Sequence, residues 1–218
     1  MIFKIKGDIV GNEMKEVYEW FGFECTTPQD VITALETMEK GDRLQVKINS
    51  GGGDVLAGQE IYSTLRSRND VDIEVEGLAA SAASVIAMAG KSTISPVGML
   101  MIHDVSVSYV SGNHAKLSKQ AETLKAWDET LASAYVEKTG KSKEEIIKMM
   151  DAETWITADK AVEFGFIDSI SQPGELVITN TIGNLKVTDE MIKKYEAKKA
   201  NVEKEKNELL KDLDTFGV

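Results

Sequence analysis

Hydrophobic and polar positions alternate in short segments whose period changes along the first part of the chain. Residues 2–6, 44–49 and 71–76 show a two-residue alternation or a short apolar run, which predicts strands. Residues 55–68 instead repeat apolar side chains at helical spacing, and the alanine-rich run at 85–89 also favours a helix. Strands and helices that alternate in this way are typical of an α/β fold with right-handed crossovers around a mainly parallel sheet.

Another helix is predicted between the first two strands from its end signals. Thr27 suits the N-cap, Pro28 the first helical position, and Asp30 the third position of a capping box. Gly41 is the expected end of this helix.

The second half of the chain predicts one long helix with shorter elements around it. Residues 105–110 alternate as a strand, whose apolar side chains could face a partner or the core. From 115 to 138, apolar side chains recur near helical spacing, and Gly140 is expected to end this helix. A short helix at 158–164 and a strand at 166–170 complete the pattern.

A change in composition predicts two parts of the chain. Residues 1–171 are predicted to form one domain, and residues 172–218 a charged, mostly helical C-terminal extension. Residues 188–214 are rich in Lys and Glu and contain no Gly or Pro. A solvated helix held by Glu–Lys pairs is one interpretation, and a short oligomeric coiled coil is the other.

Composition and charge exclude several classes of partner. The net charge of −11 disfavours binding to nucleic acid, which needs a basic surface. No apolar run approaches the ~20 residues that span a bilayer, and the N-terminal segment lacks the apolar region of a signal peptide. Cys25 is the single cysteine, so no internal disulfide can form, and no metal-ligand cluster surrounds it. We therefore expect a cytoplasmic protein without a membrane partner or a metal.

The segment at 77–84 carries the first sign of chemistry. It places Ser81 among small residues, where the strand at 71–76 is predicted to turn into a helix. A serine at such a turn is exposed on a backbone that a substrate can approach, as in a nucleophile elbow, although the usual G-x-S-x-G pattern is absent. Ser84, one helical turn further along, is the competing candidate.

A serine nucleophile needs a base, and the chain contains two histidines. His103 follows the apolar run at 97–102, so it is expected at the end of a buried strand. His114 follows Gly112 and Asn113 in a predicted turn and is expected to be exposed. His103 is therefore the predicted base, and acyl transfer by a serine is the predicted chemistry.

The glycines at 51–53 are a further signal, because they follow a strand and precede a helix. Backbone amides at such a turn can stabilise an oxyanion, with the amide of Ala82 as the other donor. No Gly-Lys-Ser/Thr follows, so a phosphate-binding loop is a poor alternative. Asp151, Glu153 and Asp168 are the downstream acids able to orient the histidine, and residue chemistry alone does not choose among them.

In order and spacing, these signals resemble the motifs of the caseinolytic protease (ClpP) family of serine peptidases. INSGGG at 48–53 is similar to the family's I-N-S-P-G-G, with glycine in place of proline. GLAAS at 77–81 resembles G-Q-A-A-S, and MIH at 101–103 matches M-I-H. AVEFGFIDSI at 161–170 resembles A-V-E-Y-G-L-V-D-S-I. The resemblance covers residues 2–171.

The resemblance implies roles for individual residues. Ser81 corresponds to the family's nucleophile and His103 to its general base, while Gly53 and Ala82 fall where the family supplies its oxyanion amides. The family's acid lies two residues before an aromatic residue. That position is Glu153 here, with Asp151 as its competitor. The resemblance implies no metal, nucleotide or other cofactor.

The resemblance also implies a fold and an assembly. The family has a crotonase-like βαβ spiral with a protruding handle helix, which residues 115–138 match, and forms homo-oligomeric rings of about six or seven subunits that can stack in pairs. The chain begins almost at its first strand and continues beyond Ile170, as in the ClpP-like proteases of phages and prophages. This predicts a protease that processes capsid or scaffold proteins during head maturation in the bacterial host cytoplasm.

Other functions remain open on the sequence alone. One alternative is a bacterial ClpP-type subunit that works with an ATP-dependent unfoldase, against which the absence of the family's N-terminal loop segment counts. Another is a catalytically silent ring protein. A crotonase that acts on an acyl-coenzyme A shares the fold, but it would leave the serine and histidine motifs unexplained.

Overall fold

Strands and helices alternate along residues 1–172, the part of the chain that the computed structural model describes. The strands are β1 Ile2–Ile9, β2 Cys25–Thr26, β3 Leu44–Gly53, β4 Val71–Ala80, β5 Lys91–Ile94, β6 Met99–Ile102, β7 Thr154–Thr157 and β8 Ser169–Ile170. The helices are α1 Lys15–Phe21, α2 Pro28–Glu36, α3 Val55–Arg66, α4 Ala82–Ala87, α5 His114–Thr139, α6 Lys143–Asp151 and α7 Ala158–Glu163. From residue 173 onward, the predicted extension with its helix at 188–214 lies outside the described residues.

The strands form one sheet, most of which is parallel. Its main path is β2-β1-β3-β4-β5-β8, and every neighbouring pair on this path is parallel. Strand β4 has two further partners along its length, because residues 72–75 pair with β5 and residues 78–80 pair in parallel with β6. Strand β7 pairs antiparallel with β6. The predicted α/β fold is confirmed, and the architecture agrees with the ClpP fold that the resemblance implied.

The two-residue alternation of the central strands separates buried from charged side chains. In β3, Val46 and Ile48 are fully buried in the core, while Lys47 between them points to the opposite face. There the Lys47 ammonium lies 3.2 Å from Glu74 and 2.9 Å from Glu76 of β4. A slip of one residue would exchange the apolar and charged faces, so this pattern specifies the register of the sheet.

The predicted capping box is present at the start of α2. The Thr27 side chain accepts a hydrogen bond from the Asp30 N–H, and the Asp30 carboxylate accepts one from the Thr27 N–H at 3.0 Å. Pro28 occupies the first helical position, as predicted. The predicted start of α2 is therefore confirmed.

The end of α2 differs from the prediction, because the helix stops at Glu36 and does not continue to Gly41. The Thr37 hydroxyl donates a hydrogen bond to the Ala34 carbonyl at 2.8 Å and so competes with the backbone ladder. Gly41 instead adopts a positive φ of 99° before β3.

The strand predicted at 105–110 is wrong, because these residues follow β6 as an irregular segment. Tyr109 is fully exposed and has a φ of 61°. Apolar and polar side chains can alternate in an exposed segment too. A strand also needs a neighbouring strand for its backbone hydrogen bonds. No strand pairs with this segment within the described part of the chain.

The predicted long helix is confirmed as α5. Asn113 caps its start by accepting a hydrogen bond from the Lys116 N–H, and Gly140 ends it with a left-handed φ of 69°. Although α5 is the longest helix described, neither it nor any other helix in residues 1–172 is long and apolar enough to cross a membrane.

Candidate active site

Ser81 lies at the single residue between β4, which ends at Ala80, and α4, which begins at Ala82. Its backbone has a φ of 55° and a ψ of −127°, a region that residues other than glycine rarely adopt. Such a conformation costs about 1–3 kcal/mol and persists where neighbouring contacts hold it. One of these contacts is the hydrogen bond from the Ser81 N–H to the Met101 carbonyl at 2.9 Å. The strained turn presents the hydroxyl at the edge of the sheet.

His103 reaches the same turn because of the strand pairing. Strands β4 and β6 run parallel with Ala80 opposite Met101, so their carboxyl ends meet at one edge of the sheet. The Nε2 atom of His103 lies 2.8 Å from the Oγ atom of Ser81. Ser81 is also the N-cap residue of α4, but its side chain makes no capping hydrogen bond and faces the histidine instead. The structure therefore brings the predicted serine and histidine together.

The contact between Ser81 and His103 suits proton transfer in one tautomer of the imidazole. With the ring proton on Nδ1, the Nε2 atom accepts the hydroxyl proton of the serine, as a general base must. A carboxylate at Nδ1 would select this tautomer and stabilise the imidazolium that forms.

The predicted acid Glu153 makes no hydrogen bond to His103 in the structure. The antiparallel pairing of β6 and β7 ends with Ile102 opposite Thr154. His103 therefore directly follows β6, and Glu153, with a positive φ of 46°, directly precedes β7. The Glu153 carboxylate accepts a long hydrogen bond of 3.4 Å from the indole N–H of Trp155. Within residues 1–172, Ser81 is the only hydrogen-bond partner of the His103 ring.

The competing acid Asp151 faces a different carboxyl group. Asp151 ends α6 and lies against Asp104, the residue directly after His103, and Asp128 of α5 also lies close to Asp104. Burial, and then the charges of Asp128 and Asp151, raise the pKa of Asp104 from 3.8 to about 6. The Oδ1 atom of Asp104 is buried without a hydrogen-bond partner in the described part of the chain. Sequence reasoning missed Asp104, although its position beside the histidine was a usable signal.

The glycine segment continues β3 and does not form the predicted loop, since the strand extends to Gly53. A Cβ atom at Gly52 would lie 2.7 Å from the Cβ of Ser81 and 3.0 Å from the amide nitrogen of Ala82. A Cβ at Gly53, where φ is 148°, would lie 2.2 Å from the carbonyl oxygen of Ile9. Only glycine therefore lets β3 run so close to the Ser81 turn at Gly52 and to β1 at Gly53.

The remaining candidates lie away from the serine and histidine pair. The Asp168 carboxylate accepts hydrogen bonds from Lys138 at 2.8 Å and from the Ser92 N–H at 2.7 Å, which ties it to α5 and β5. His114 is exposed at the first position of α5. Cys25 is half-buried, and the described residues contain no cluster of three or more metal-binding side chains.

A cavity of about 60 Å³ opens beside the serine. Ser81, His103 and Gly53 form part of its wall. Apolar side chains from α4, α5 and α6 and polar side chains also line it, among them Val85, Leu131, Tyr135, Met150, Gln59, Asp104 and Ser106. A recess of mixed polar and apolar lining next to the serine hydroxyl is suited to one side chain of a substrate.

A serine hydroxyl that meets a histidine on a strained strand-to-helix turn defines a serine-type hydrolase. Comparison with models of protein families identifies which kind: the Clp protease model matches residues 25–174, and the chain belongs to that family. It is therefore a serine-type peptidase.

Individual relatives of the chain are named as subunits of Clp proteases. The chain is 34% identical over 174 residues to ATP-dependent Clp protease proteolytic subunit 1 of Chlamydia abortus, which covers 75% of this chain and 91% of that protein. It is 33% identical over 141 residues to the protein of this name from Protochlamydia amoebophila, with 62% and 68% covered. The protein of this name from Streptomyces avermitilis is 35% identical over 131 residues, with 58% and 60% covered. These names favour the alternative of a ClpP-type proteolytic subunit over head maturation.

Proposed function

We propose that this chain is the peptidase subunit of a Clp-type protease and cleaves polypeptides with Ser81 as nucleophile and His103 as general base. The observation that carries the proposal is the 2.8 Å contact between Ser81 Oγ and His103 Nε2 on the strained turn. A serine hydroxyl is a weak nucleophile until an adjacent base removes its proton, and this contact supplies the base. Membership of the Clp protease family supports protein chains as the substrate class.

In the proposed mechanism, the Ser81 hydroxyl attacks the carbonyl carbon of a peptide bond while His103 Nε2 takes its proton. The backbone N–H groups of Ala82 and Gly53 stabilise the negative charge on the carbonyl oxygen. The imidazolium then gives its proton to the leaving amine, the C–N bond breaks, and an acyl ester of Ser81 remains. A water molecule, deprotonated by His103, hydrolyses this ester and restores the serine.

Glu153 is the proposed acid that orients His103. The role is supported by chain position, because Glu153 directly precedes β7 and His103 directly follows β6, the strand with which β7 pairs. Catalytic hydrogen bonds are often long or poorly aligned in a free enzyme and tighten when substrate binds. Asp151 is the competitor, and its proximity to Asp104 counts against it.

An oligomeric ring with an ATP-dependent unfoldase is the assembly that we propose. The relatives are named as subunits of an ATP-dependent protease, which supports an ATP-driven partner. A closed ring would hide Ser81 from folded proteins, so an unfoldase would supply its substrates as extended chains.

Processing of capsid or scaffold proteins in phage head maturation is the second candidate. The observation that favours it is the Lys- and Glu-rich segment at 188–214, which lies beyond the family match and would suit docking to a scaffold or shell. Both candidates use the same serine chemistry and differ in what delivers the substrate.

The test of the proposed function is proteolysis by the purified full chain and its Ser81→Ala variant. We expect the wild type, and not the variant, to cleave a short fluorogenic peptide, and we expect cleavage of a folded fluorescent protein when an unfoldase of the same host and ATP are added. Cleavage of capsid or scaffold protein without ATP would favour the second candidate. Peptide cleavage that persists in Ser81→Ala would contradict the proposed chemistry.

A further inference from the structure

A buried chain of hydroxyl groups lies directly behind the serine turn. Ser84 of α4 is fully buried, and its Oγ atom lies 2.7 Å from the carbonyl oxygen of Ser81 and 2.8 Å from the hydroxyl oxygen of Tyr135. Tyr135 comes from α5 and is 2% exposed. Ser84 is therefore turned away from solvent and does not compete with Ser81 as a nucleophile.

The donor and the acceptor in each of these hydrogen bonds can be assigned by counting the protons that each group carries. The carbonyl of Ser81 can only accept, so the Ser84 hydroxyl donates its single proton to it. Ser84 then has no proton left for Tyr135, and the tyrosine must donate to the Ser84 oxygen. Burial raises the pKa of Tyr135, although the bond to Ser84 lowers it, so the tyrosine keeps its proton at neutral pH. The chain runs from Tyr135 through Ser84 to the Ser81 carbonyl.

The acceptor at the end of this chain belongs to the peptide group that joins Ser81 to Ala82. The carbonyl of that group accepts the Ser84 hydroxyl and also the backbone N–H groups of Ser84 at 2.9 Å and Val85 at 3.3 Å. The N–H of the same group is the amide of Ala82, the proposed oxyanion donor. A hydrogen bond to the carbonyl end of a peptide group fixes the orientation of its plane and polarises its N–H, and bonds in a chain strengthen one another.

We propose that Tyr135 and Ser84 are positioning residues for the oxyanion donor, which hold and polarise the Ser81–Ala82 peptide group from behind. The inference rests on the proposed function, because it requires the Ala82 N–H to act on the substrate carbonyl. It also links α5 to the turn at Ser81, since the Tyr135 hydroxyl bonds Ser84 behind that turn.

Packing alone does not account for the tyrosine hydroxyl. The Tyr135 ring packs edge-on against Phe166 with 5.9 Å between the ring centroids, a contact that a phenylalanine would also make. Burying the Tyr135 hydroxyl costs desolvation free energy. An apolar residue would avoid this cost and would serve packing equally well.

The experiment compares Tyr135→Phe, Ser84→Ala and the double variant with the wild type, in both peptide hydrolysis and thermal unfolding. Tyr18→Phe is the matched control, because it removes the hydroxyl that bonds Asp8 at 3.1 Å on the surface. Loss of one direct oxyanion donor lowers kcat by about 10²–10³-fold, so we expect a smaller loss of roughly 10-fold for Tyr135→Phe and roughly 30-fold for Ser84→Ala. KM should change less than about twofold, because the effect acts on the transition state.

Unfolding separates positioning from a structural role. Ser84→Ala leaves the Tyr135 hydroxyl buried without its acceptor and should lower Tm, whereas the double variant removes both partners and should recover most of that loss. The proposal expects the double variant to keep the low kcat of Ser84→Ala despite its recovered Tm. A kcat that recovers with Tm, or a kcat in Tyr135→Phe equal to that of Tyr18→Phe, would overturn the inference. An inactive wild type would contradict the proposed function on which the inference rests. If the wild type is active and the variants do not behave as expected, the inference alone fails.

Discussion

At the scale of single residues, two neighbouring glycines of β3 have different surroundings. A Cβ atom at Gly52 would meet Ser81 and Ala82 at 2.7–3.0 Å, whereas one at Gly51 would meet nothing within 4 Å. We expect Gly52→Ala to displace the serine turn and lower kcat/KM by about 10²-fold, because a shift of about 1 Å at a reacting group has this effect. Gly51→Ala is the matched control and should retain nearly full peptidase activity. Equal activities of the two variants would contradict the close approach of β3 to the nucleophile.

The acid of the site gives a second prediction at this scale. Glu153→Gln keeps the shape of the side chain but removes the charge that would stabilise the His103 imidazolium, so we expect kcat to fall on the order of 10³-fold. Asp151→Asn should lower kcat only a fewfold. Steady-state hydrolysis of one fluorogenic peptide measures both variants, and the reverse order of effects would assign the orienting role to Asp151.

Asp104 predicts a dependence of stability on pH. Burial, and then the charges of Asp128 and Asp151, raise its pKa from 3.8 to about 6, so the native state favours the protonated carboxyl. The stability that this protonation contributes is present below 3.8 and is lost as pH rises through about 6. We expect Asp104→Asn to raise Tm by roughly 1–3 °C at pH 8 and to have little effect at pH 4. The gain at pH 8 is modest because the side chain is partly solvated. The exposed Asp159→Asn is the control for loss of one charge. A gain in Tm at pH 4 equal to that at pH 8 would contradict this account.

At the scale of elements, Asp168 predicts a structural contribution without a catalytic one. Burial tends to raise its pKa, but Lys138 and the Ser92 N–H together lower it, so this contact stabilises the fold above its pKa and is lost as pH falls through it. We expect Asp168→Asn to reduce the free energy of unfolding at pH 7 by about 1 kcal/mol, since the carboxylate is partly exposed. Peptidase activity per folded molecule should not change.

Denaturant unfolding at pH 7 measures this loss. Glu163→Gln removes an exposed pair with Lys160 on α7 and serves as the control. A stability unchanged in Asp168→Asn, or a fall in activity without a fall in stability, would contradict the structural role of Asp168.

The elements that sequence reasoning predicted are those whose signals are local. The α2 capping box, the long α5 and the serine turn each depend on a few consecutive residues and on apolar spacing. The pairing of Ser81 with His103 was also predicted, from residue chemistry and the family motifs. In the structure it arises because both residues directly follow the parallel strands β4 and β6.

The features that were missed depend on partners far along the chain. Strand β7 has four residues and is defined by its pairing with β6, and the segment at 105–110 has a strand pattern but no neighbour in the described part of the chain. The pairing of Ser84 with Tyr135 joins positions on α4 and α5 that no local pattern connects. Tertiary context, and not propensity, determined each of these.

At the scale of the whole molecule, the account predicts a closed ring. Homo-oligomers of a single chain close by rotation, and six or seven copies of this 23.9 kDa chain would have a mass of about 143 or 167 kDa, or twice that for stacked rings. Sedimentation velocity at micromolar concentration measures this mass. A single species of about 24 kDa with full peptidase activity would contradict the proposed assembly.

Covalent labelling of the serine shows whether His103 activates Ser81. The full chain would be treated with a fluorophosphonate and its intact mass measured, beside Ser81→Ala and His103→Ala. We expect one adduct per wild-type chain, none on Ser81→Ala, and a rate of labelling at least about 100-fold slower for His103→Ala. An adduct that persists on Ser81→Ala, or a folded wild-type chain that takes up no label, would contradict the activation of Ser81 by His103.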